Sequence, residues 1–336
     1  MKEAYAQINL DAILYNYRHL KCQYHKNIIA VIKDDAYGVG AVFVANKLKN
    51  EEGIIFAVKN FDEAIKLRNA NILNEILVLG VFEQEDIITA KEYRLSVIVT
   101  HLNQLEWLKN QNIPFHLKID TGMNRLGLSI MEYNQAILEV YQNKSYLLKG
   151  IMTHFATTDE DHQQYDLFCQ CLENIDTSNL IIHCFSSNSI RDENKTNYAR
   201  IGMKLYGFLE RSAMLKNAVE VFSPIVFKQK VQKGENVGYD FIYKAKEDGY
   251  LYVLPIGYAN GWGRFNKSLA YLPLHRLEQA GNISMDYSVY FSKEDIKKDM
   301  IVELIGLNAP LEKLAQWNHI SMYEILSKLK LKHIYL

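Results

Sequence analysis

Only five prolines interrupt the 336 residues, and no stretch is jointly rich in proline, glycine and serine. That excludes a floppy tether between domains. There is no basic block, and the formal net charge is -1, so the electrostatic footprint of a nucleic-acid binder is missing. No apolar run is long enough to cross a membrane as a helix. The opening residues, MKEAYAQINLDAIL, carry charges at Lys2, Glu3 and Asp11 and lack the apolar centre of an export signal. Cysteine is scarce: Cys22, Cys169, Cys171 and Cys184 show no metal-ligand spacing. With no export signal they read as reduced thiols of a cytoplasmic protein, and no metal is expected. Cys169 and Cys171 fall on an expected helix, where a structural role is the simpler one.

What is present is a large apolar supply. Hydrophobic residues make up 49% and charged residues 23%, enough for one large domain or two ordinary ones. From residue 27 to about 207, short apolar runs alternate with polar stretches of helical spacing. The runs are NIIAVIK (27–33), GIIFAV (53–58), EILVLG (75–80), SVIVT (96–100), FHLKID (115–120), LKGIMTHFA (148–156), LIIHCFSS (180–187) and ARIGMKLYG (199–207). Between them, residues such as Ala64, Ile65 and Leu67 follow Asp62, a candidate cap. Continuous apolar strands separated by helices imply a parallel sheet covered on both faces, and eight such units imply a (β/α)8 TIM barrel. The eighth unit has the weakest following helix. After about residue 215, strand-like runs take over: PIVFKQKV (224–231), GYLYVLPIGY (249–258), YSVYFS (287–292) and MIVELIG (300–306). The expected organisation is an α/β barrel over 10–215 and a mostly-β domain over 216–336, with residues 1–9 as an added strand.

Chemistry in such barrels sits at the C-terminal ends of the strands. Those ends carry Lys33 and Tyr37 after the first, Lys118, Asp120 and Arg125 at the fifth, His154 at the sixth and Ser187 at the seventh. Arg200 and Gly202 fall near the eighth. A ring of donors at one mouth suits an anionic ligand, most simply a phosphate. A lone histidine is more often a core residue, and any one of 22 tyrosines is more often packing. The combination carries the argument.

In that combination the chain resembles the alanine racemase family. "AVIKDDAYGVGA" is similar to that family's cofactor-lysine motif, and "HLKIDTGMNRLG" to its second motif. "GIMTHFATTDE", "HCFSS", "ARIGMKLYG", "VGYDFIY", "PIGYANGWGR", "SMDYS" and "MYEIL" follow in the family's order, nearly end to end. The resemblance implies pyridoxal 5'-phosphate held covalently by Lys33; an amine that attacks a carbonyl must be neutral, and burial disfavours the charged form. It implies two bases on opposite faces, Lys33 for D-alanine and Tyr239 for L-alanine. Tyr239 would be supported by His154 and Arg200, and Arg200 would face the pyridine nitrogen. Arg125 would contact the cofactor's phenolic oxygen and the substrate carboxylate. Lys118 matches a position carbamylated in many members. The phosphate would be held by Tyr37, Ser187 and Tyr323 with the backbone amides of Gly202 and Met203; Ser186 and Ser189 are alternatives to Ser187. Tyr239, Tyr258, Met285 and Asp286 would reach the site of a second copy, giving a head-to-tail homodimer with shared sites. Crowding by Tyr323, Tyr258 and Met285 would favour alanine, supplying D-alanine for peptidoglycan.

Several positions depart from the family pattern. Asp34 replaces the usual alanine, Val39 a common histidine, Asn260 an aspartate and Asn282 an arginine, and the segment 265–281 is short. A racemase of another small amino acid such as serine, and a cofactor-binding homologue with little activity, are the other readings the residues leave open.

Overall fold

The computed structural model describes residues 3–156, 162–208, 214–265 and 267–336. Residues 157–160 of the GIMTHFATTDE segment and Asn266 of the short segment lie outside the described residues.

Strand β1 (Tyr5–Ile8) leads into a helix over Leu10–Tyr24, whose first turn is capped by Asn9 Oδ1 accepting from the Ala12 amide at 2.8 Å. All eight expected apolar runs then form parallel strands: β2 (Asn27–Val31), β3 (Ile55–Val58), β4 (Ile76–Val78), β5 (Ser96–Val99), β6 (Pro114–Lys118), β7 (Leu147–Met152), β8 (Ile181–His183) and β9 (Tyr198–Ile201). β3, β4 and β5 are buried along their whole length. Helices cover one face and the packed barrel interior the other, so these strands read as unbroken apolar runs. β2 pairs with both β3 and β9, which brings the sheet round into a nearly closed (β/α)8 barrel. Between β8 and β9 the seam is stitched by other bonds. The Arg200 amide donates to Phe185 O at 3.0 Å, and Asn197 Oδ1 accepts from the Ile182 amide at 2.8 Å.

The weak eighth helix is a 3-10 turn, Met203–Tyr206. The N-terminal helix packs against it instead. Buried Asn16 joins them, its Nδ2 donating to Leu205 O at 2.9 Å and Lys216 O at 2.8 Å. The cap before Ala64 is also relocated: Asn60, not Asp62, accepts from the Glu63 amide at 3.0 Å. Asn60 is followed at once by helical backbone, so Asp62 sits inside the first turn, where its charge suits the helix dipole.

The second sheet has nine strands. In chain order β1 is followed by β10 (Val219–Pro224), β11 (Phe227–Val231), and, after a separate two-stranded pair β12 (Asn236–Val237) and β13 (Tyr243–Lys244), by β14 (Gly249–Leu254), β15 (Leu269–Leu272), β16 (His275–Gln279), β17 (Ser288–Ser292), β18 (Ile301–Ile305) and β19 (Lys332–Tyr335). β1 lies antiparallel to β10 and parallel to β19. Two short helices, Leu311–Asn318 and Met322–Lys328, escape the sequence reading. The second presses Leu326 against the barrel mouth: a Cβ on Gly38 would lie 2.7 Å from Leu326 O.

Candidate active site

The C-terminal mouth of the barrel opens into a cavity of about 640 Å³, lined in part by Lys33, Tyr37, Lys118, Arg125, His154, Ser187, Arg200, Gly202 and Tyr323. Nine site residues expected from widely separated segments therefore share one space.

Lys33 leaves β2 into an unusual turn. Asp34, Asp35, Ala36 and Tyr37 have φ of 51°, 52°, 58° and 58°. None is glycine, and a left-handed residue costs roughly 1–2 kcal/mol. Neighbours fix the turn from several sides. Glu63 Oε1 accepts from the Asp34 amide at 2.7 Å, Asp35 Oδ1 accepts from the Ala41 amide at 2.8 Å, and Tyr335 Oη donates to Val39 O at 3.0 Å. The turn delivers Tyr37 back over the barrel, against Tyr323 with ring centroids 5.5 Å apart at 70°.

One end of the cavity is a cradle of donors. Ser187 Oγ accepts from the Gly202 amide at 3.0 Å. The Met203 amide opens a 3-10 turn, where N–H groups have no intrahelical acceptor. Burial pushes the Tyr323 phenol up to about 12, with Ser187 partly offsetting it, and burial followed by Tyr323 raises Tyr37. Both phenols thus keep their protons and can donate. A Cβ on Gly202 would lie 2.5 Å from Tyr37 Oη, so only glycine leaves this cradle open. Gly202→Ala should weaken cofactor retention by about 1–3 kcal/mol, the usual cost of overpacking. Titrating apoprotein with pyridoxal phosphate measures this; wild-type affinity would remove Tyr37 from the cradle.

At the other end lies Arg200, buried to 5% exposure. Nη1 donates to His183 Nδ1 and His183 O, both at 2.8 Å. The two N–H groups of Nη2 serve three acceptors, Thr153 O at 2.8 Å, Cys184 O at 2.9 Å and, sharing one of them, His154 Nδ1 at 3.2 Å. Among the described residues, Nε–H is the donor left over. Burial lowers the guanidinium to about 10, which leaves it charged at neutral pH. His154 falls to about 3, through burial first and then the charges of Arg200, Arg125, Lys118 and Lys33. It is therefore neutral, with its proton on Nε2, because Nδ1 faces an arginine donor. Lys118 is buried and lowered to about 8, by desolvation and then by Arg200 and Arg125.

Tyr239, Tyr258, Met285 and Asp286 do not join this space. Tyr239 is 67% exposed, on a 3-10 turn over Tyr239–Phe241, and Met285 is 54% exposed. Tyr258 and Asp286 are exposed as well. Three residues were missed by the sequence reading. Lys59 lines the cavity and pairs with Asp34 at 3.2 Å, so the unexpected aspartate has a partner. His183 and His116 lie behind Arg200 in the barrel interior. Their signal was an alternation: His116 and Lys118 are two apart on β6, hence on one face.

The alanine racemase N-terminal domain profile matches residues 8–210, and the C-terminal domain profile matches residues 218–334. The chain belongs to the alanine racemase family. An alanine racemase of Streptococcus equi subsp. equi is 36% identical over 281 residues, covering 77% of this chain and 76% of the relative. One of Fusobacterium nucleatum subsp. nucleatum is 31% identical, covering 91% of each. Among solved structures, alanine racemase of Clostridium difficile 630 superposes with a TM-score of 0.90 at 28% identity, covering 100% of this chain and 96% of that one. The Bartonella henselae racemase, solved with covalently bound pyridoxal phosphate, gives a TM-score of 0.91 at 28% identity over 100% of both chains.

A family cofactor of that kind fits the residues present. It needs an amine, a cradle for phosphate and a donor for a ring nitrogen. Lys33, Gly202 with its cradle and Arg200 line the same cavity.

Proposed function

We propose that the protein is an amino-acid racemase that interconverts L- and D-alanine with pyridoxal 5'-phosphate as cofactor. The observation that carries this reading is the convergence of Lys33, the phosphate cradle and Arg200 on one cavity. Bound there, the cofactor supplies an electron sink for a carbanion at the substrate α-carbon.

Lys33 holds the cofactor and moves the α-proton on one face. Tyr239 of the partner subunit moves it on the other. A free tyrosine has a pKa of about 10 and needs support to act as a base. His154, neutral with its proton on Nε2, would donate to that phenolic oxygen. Arg200 does not surrender its proton, so towards a ring nitrogen of the bound cofactor it would donate a hydrogen bond and not a proton. Arg125 orients the substrate carboxylate, with the backbone amide of Met285 of the partner subunit. Tyr258 and Asp286 of the partner subunit line the approach. The exposure of Tyr239, Tyr258 and Met285 on the single chain supports a head-to-tail homodimer with two composite sites. The barrel over 10–215 carries the cofactor, and the β domain of 1–9 with 216–336 carries the lent residues. Cytoplasmic supply of D-alanine for peptidoglycan is the role that suits this reaction.

Lys118 fits the carbamylated position. A carbamate needs a neutral amine, and with a value near 8 a usable fraction is neutral at pH 7–8. The modification would replace a cation facing Arg125 by an anion that orients it. Intact-mass analysis should show the mass of one added CO2 that increases with bicarbonate and with pH from 6 to 8.5 and disappears in Lys118→Ala. A mass independent of both would discard the carbamate.

The direct test is chiral analysis of L-alanine and L-serine incubated with protein and cofactor. D-alanine well ahead of D-serine supports the assignment. Bound cofactor without D-alanine would turn the reading to another substrate or to a binding protein.

A further inference from the structure

Behind Arg200 a line of polar side chains runs down through the barrel interior, and the racemase reading above leaves it unused. His183 and His116 are both fully buried. His116 Nδ1 lies 2.8 Å from His183 Nε2. His116 Nε2 makes no hydrogen bond among the described residues and faces Glu75 Oε1 at 3.7 Å. The same carboxylate oxygen accepts from Ser96 Oγ at 2.8 Å. Glu75 precedes β4, at the barrel end opposite the cavity, with 28% side-chain exposure.

The chemistry of each atom fixes its neighbour. Arginine has donors only. Nη1 of Arg200 points at His183 Nδ1, so that nitrogen must be bare and the proton must sit on Nε2. Nε2 then donates to His116 Nδ1, which must be bare in turn. His116 therefore carries its proton on Nε2, aimed at the Glu75 carboxylate. The opposite arrangement would set a bare nitrogen against an anion at one end and an N–H against an arginine donor at the other. Burial, followed by the charges of Arg200 and His116, holds His183 well below its ordinary value, so it does not relieve the order by becoming charged.

The path also has a built opening. β6, β7 and β8 are neighbours, and His116 is in register with Gly150 of β7. A Cβ on Gly150 would lie 2.6 Å from His116 Nδ1 and 2.5 Å from Ile181 O. Glycine lets the two rings meet across the intervening strand.

We infer that Glu75 is a positioning residue for Arg200, acting through the fixed tautomers of His116 and His183. The carboxylate orients one ring, that ring orients the next, and the second ring with its own carbonyl holds Nη1. The guanidinium is left with Nε–H as its free donor. For what Arg200 faces, the inference rests on the racemase reading; for the tautomers it does not.

Long-range 1H–15N spectra of the labelled holoenzyme should show a proton on Nε2 and a bare Nδ1 in both His116 and His183. In Glu75→Ala the arginine still dictates which nitrogens are bare, but the His116 ring loses its second anchor, so its 15N signals should shift and broaden. The visible absorption maximum of the cofactor should move, and kcat should fall about tenfold with little change in KM, as for other carboxylates that orient a functional histidine. Glu75→Gln, which keeps an acceptor, should restore most of each. Unchanged melting temperature separates these effects from misfolding. A His183 protonated on Nδ1, or a Glu75→Ala protein with wild-type histidine signals and absorbance, would overturn the proposal. An inactive protein with the expected histidine pattern would instead count against the racemase reading alone.

Discussion

Lys33→Ala is expected to lose the visible absorbance of covalently held cofactor and to lower racemisation by on the order of 10³-fold or more. On the proposed assignment two roles vanish together, the covalent tether and the base for one face. No other amine is a ready substitute. Lys118 lines the same cavity but on the proposed reading is carbamylated and so no longer an amine, and Lys59 is engaged by Asp34 at 3.2 Å. The cradle remains, so the variant should still bind the cofactor without bonding to it, and dialysis should strip it. Spectra of the protein before and after borohydride reduction measure the tether. Colour that survives in a reducible, protein-linked form would mean that Lys33 is the wrong lysine.

Tyr239→Phe should have the next largest effect, and the effect should be one-sided. With a single base removed, overall racemisation falls in both directions, as the equilibrium between enantiomers requires. Exchange of the α-proton with solvent separates the faces. Exchange from L-alanine should drop by about 10²–10⁴-fold, the usual worth of a positioned acid–base group, whereas exchange from D-alanine is largely kept. The measurement is deuterium wash-in followed by mass spectrometry of each enantiomer. Equal loss from both would rule out separate bases. Mixing Tyr239→Phe with Lys33→Ala adds a further check on the shared sites. A hybrid dimer should hold one site lacking both bases and one intact, so part of the activity should return.

Much of the fold could be read from the residues. The eight barrel strands stand out because strands buried on both faces leave unbroken apolar runs, as in Ile55–Val58 and Ser96–Val99. β1 was also legible, since alternation of Tyr5, Ala6, Gln7 and Ile8 suits a strand with one buried face. The helices Leu311–Asn318 and Met322–Lys328 were not. Each is only about two turns long, and packing against the rest of the molecule decides such short segments more than their own periodicity does. Asn60 was passed over for Asp62 because both are good caps and the sequence does not say where helical backbone begins.

The site divides in the same way. Residues at strand ends on the barrel mouth were found, because the fold itself says where to look. Lys59 directly follows β3 and belongs to no motif, so nothing in the sequence separates it from a solvated charge. His116 and His183 lie inside apolar runs, where a histidine reads as packing. Only their spacing across Gly150, which depends on three strands at once, gives them a task.

The left-handed turn at Asp34–Tyr37 bears on how the protein matures. Four consecutive residues hold a conformation that the isolated chain would abandon. Part of what keeps it there comes from the far end of the sequence: Tyr335 bonds to Val39, and Leu326 closes over Gly38. Chains emerge from the ribosome N-terminus first, at about 5–20 residues per second. The lysine loop is therefore made early and shaped late. A nascent barrel can collapse while residues 320–336 are still awaited, and the turn after Lys33 then rests on Glu63 and Asp35 without the support of Tyr335 and Leu326.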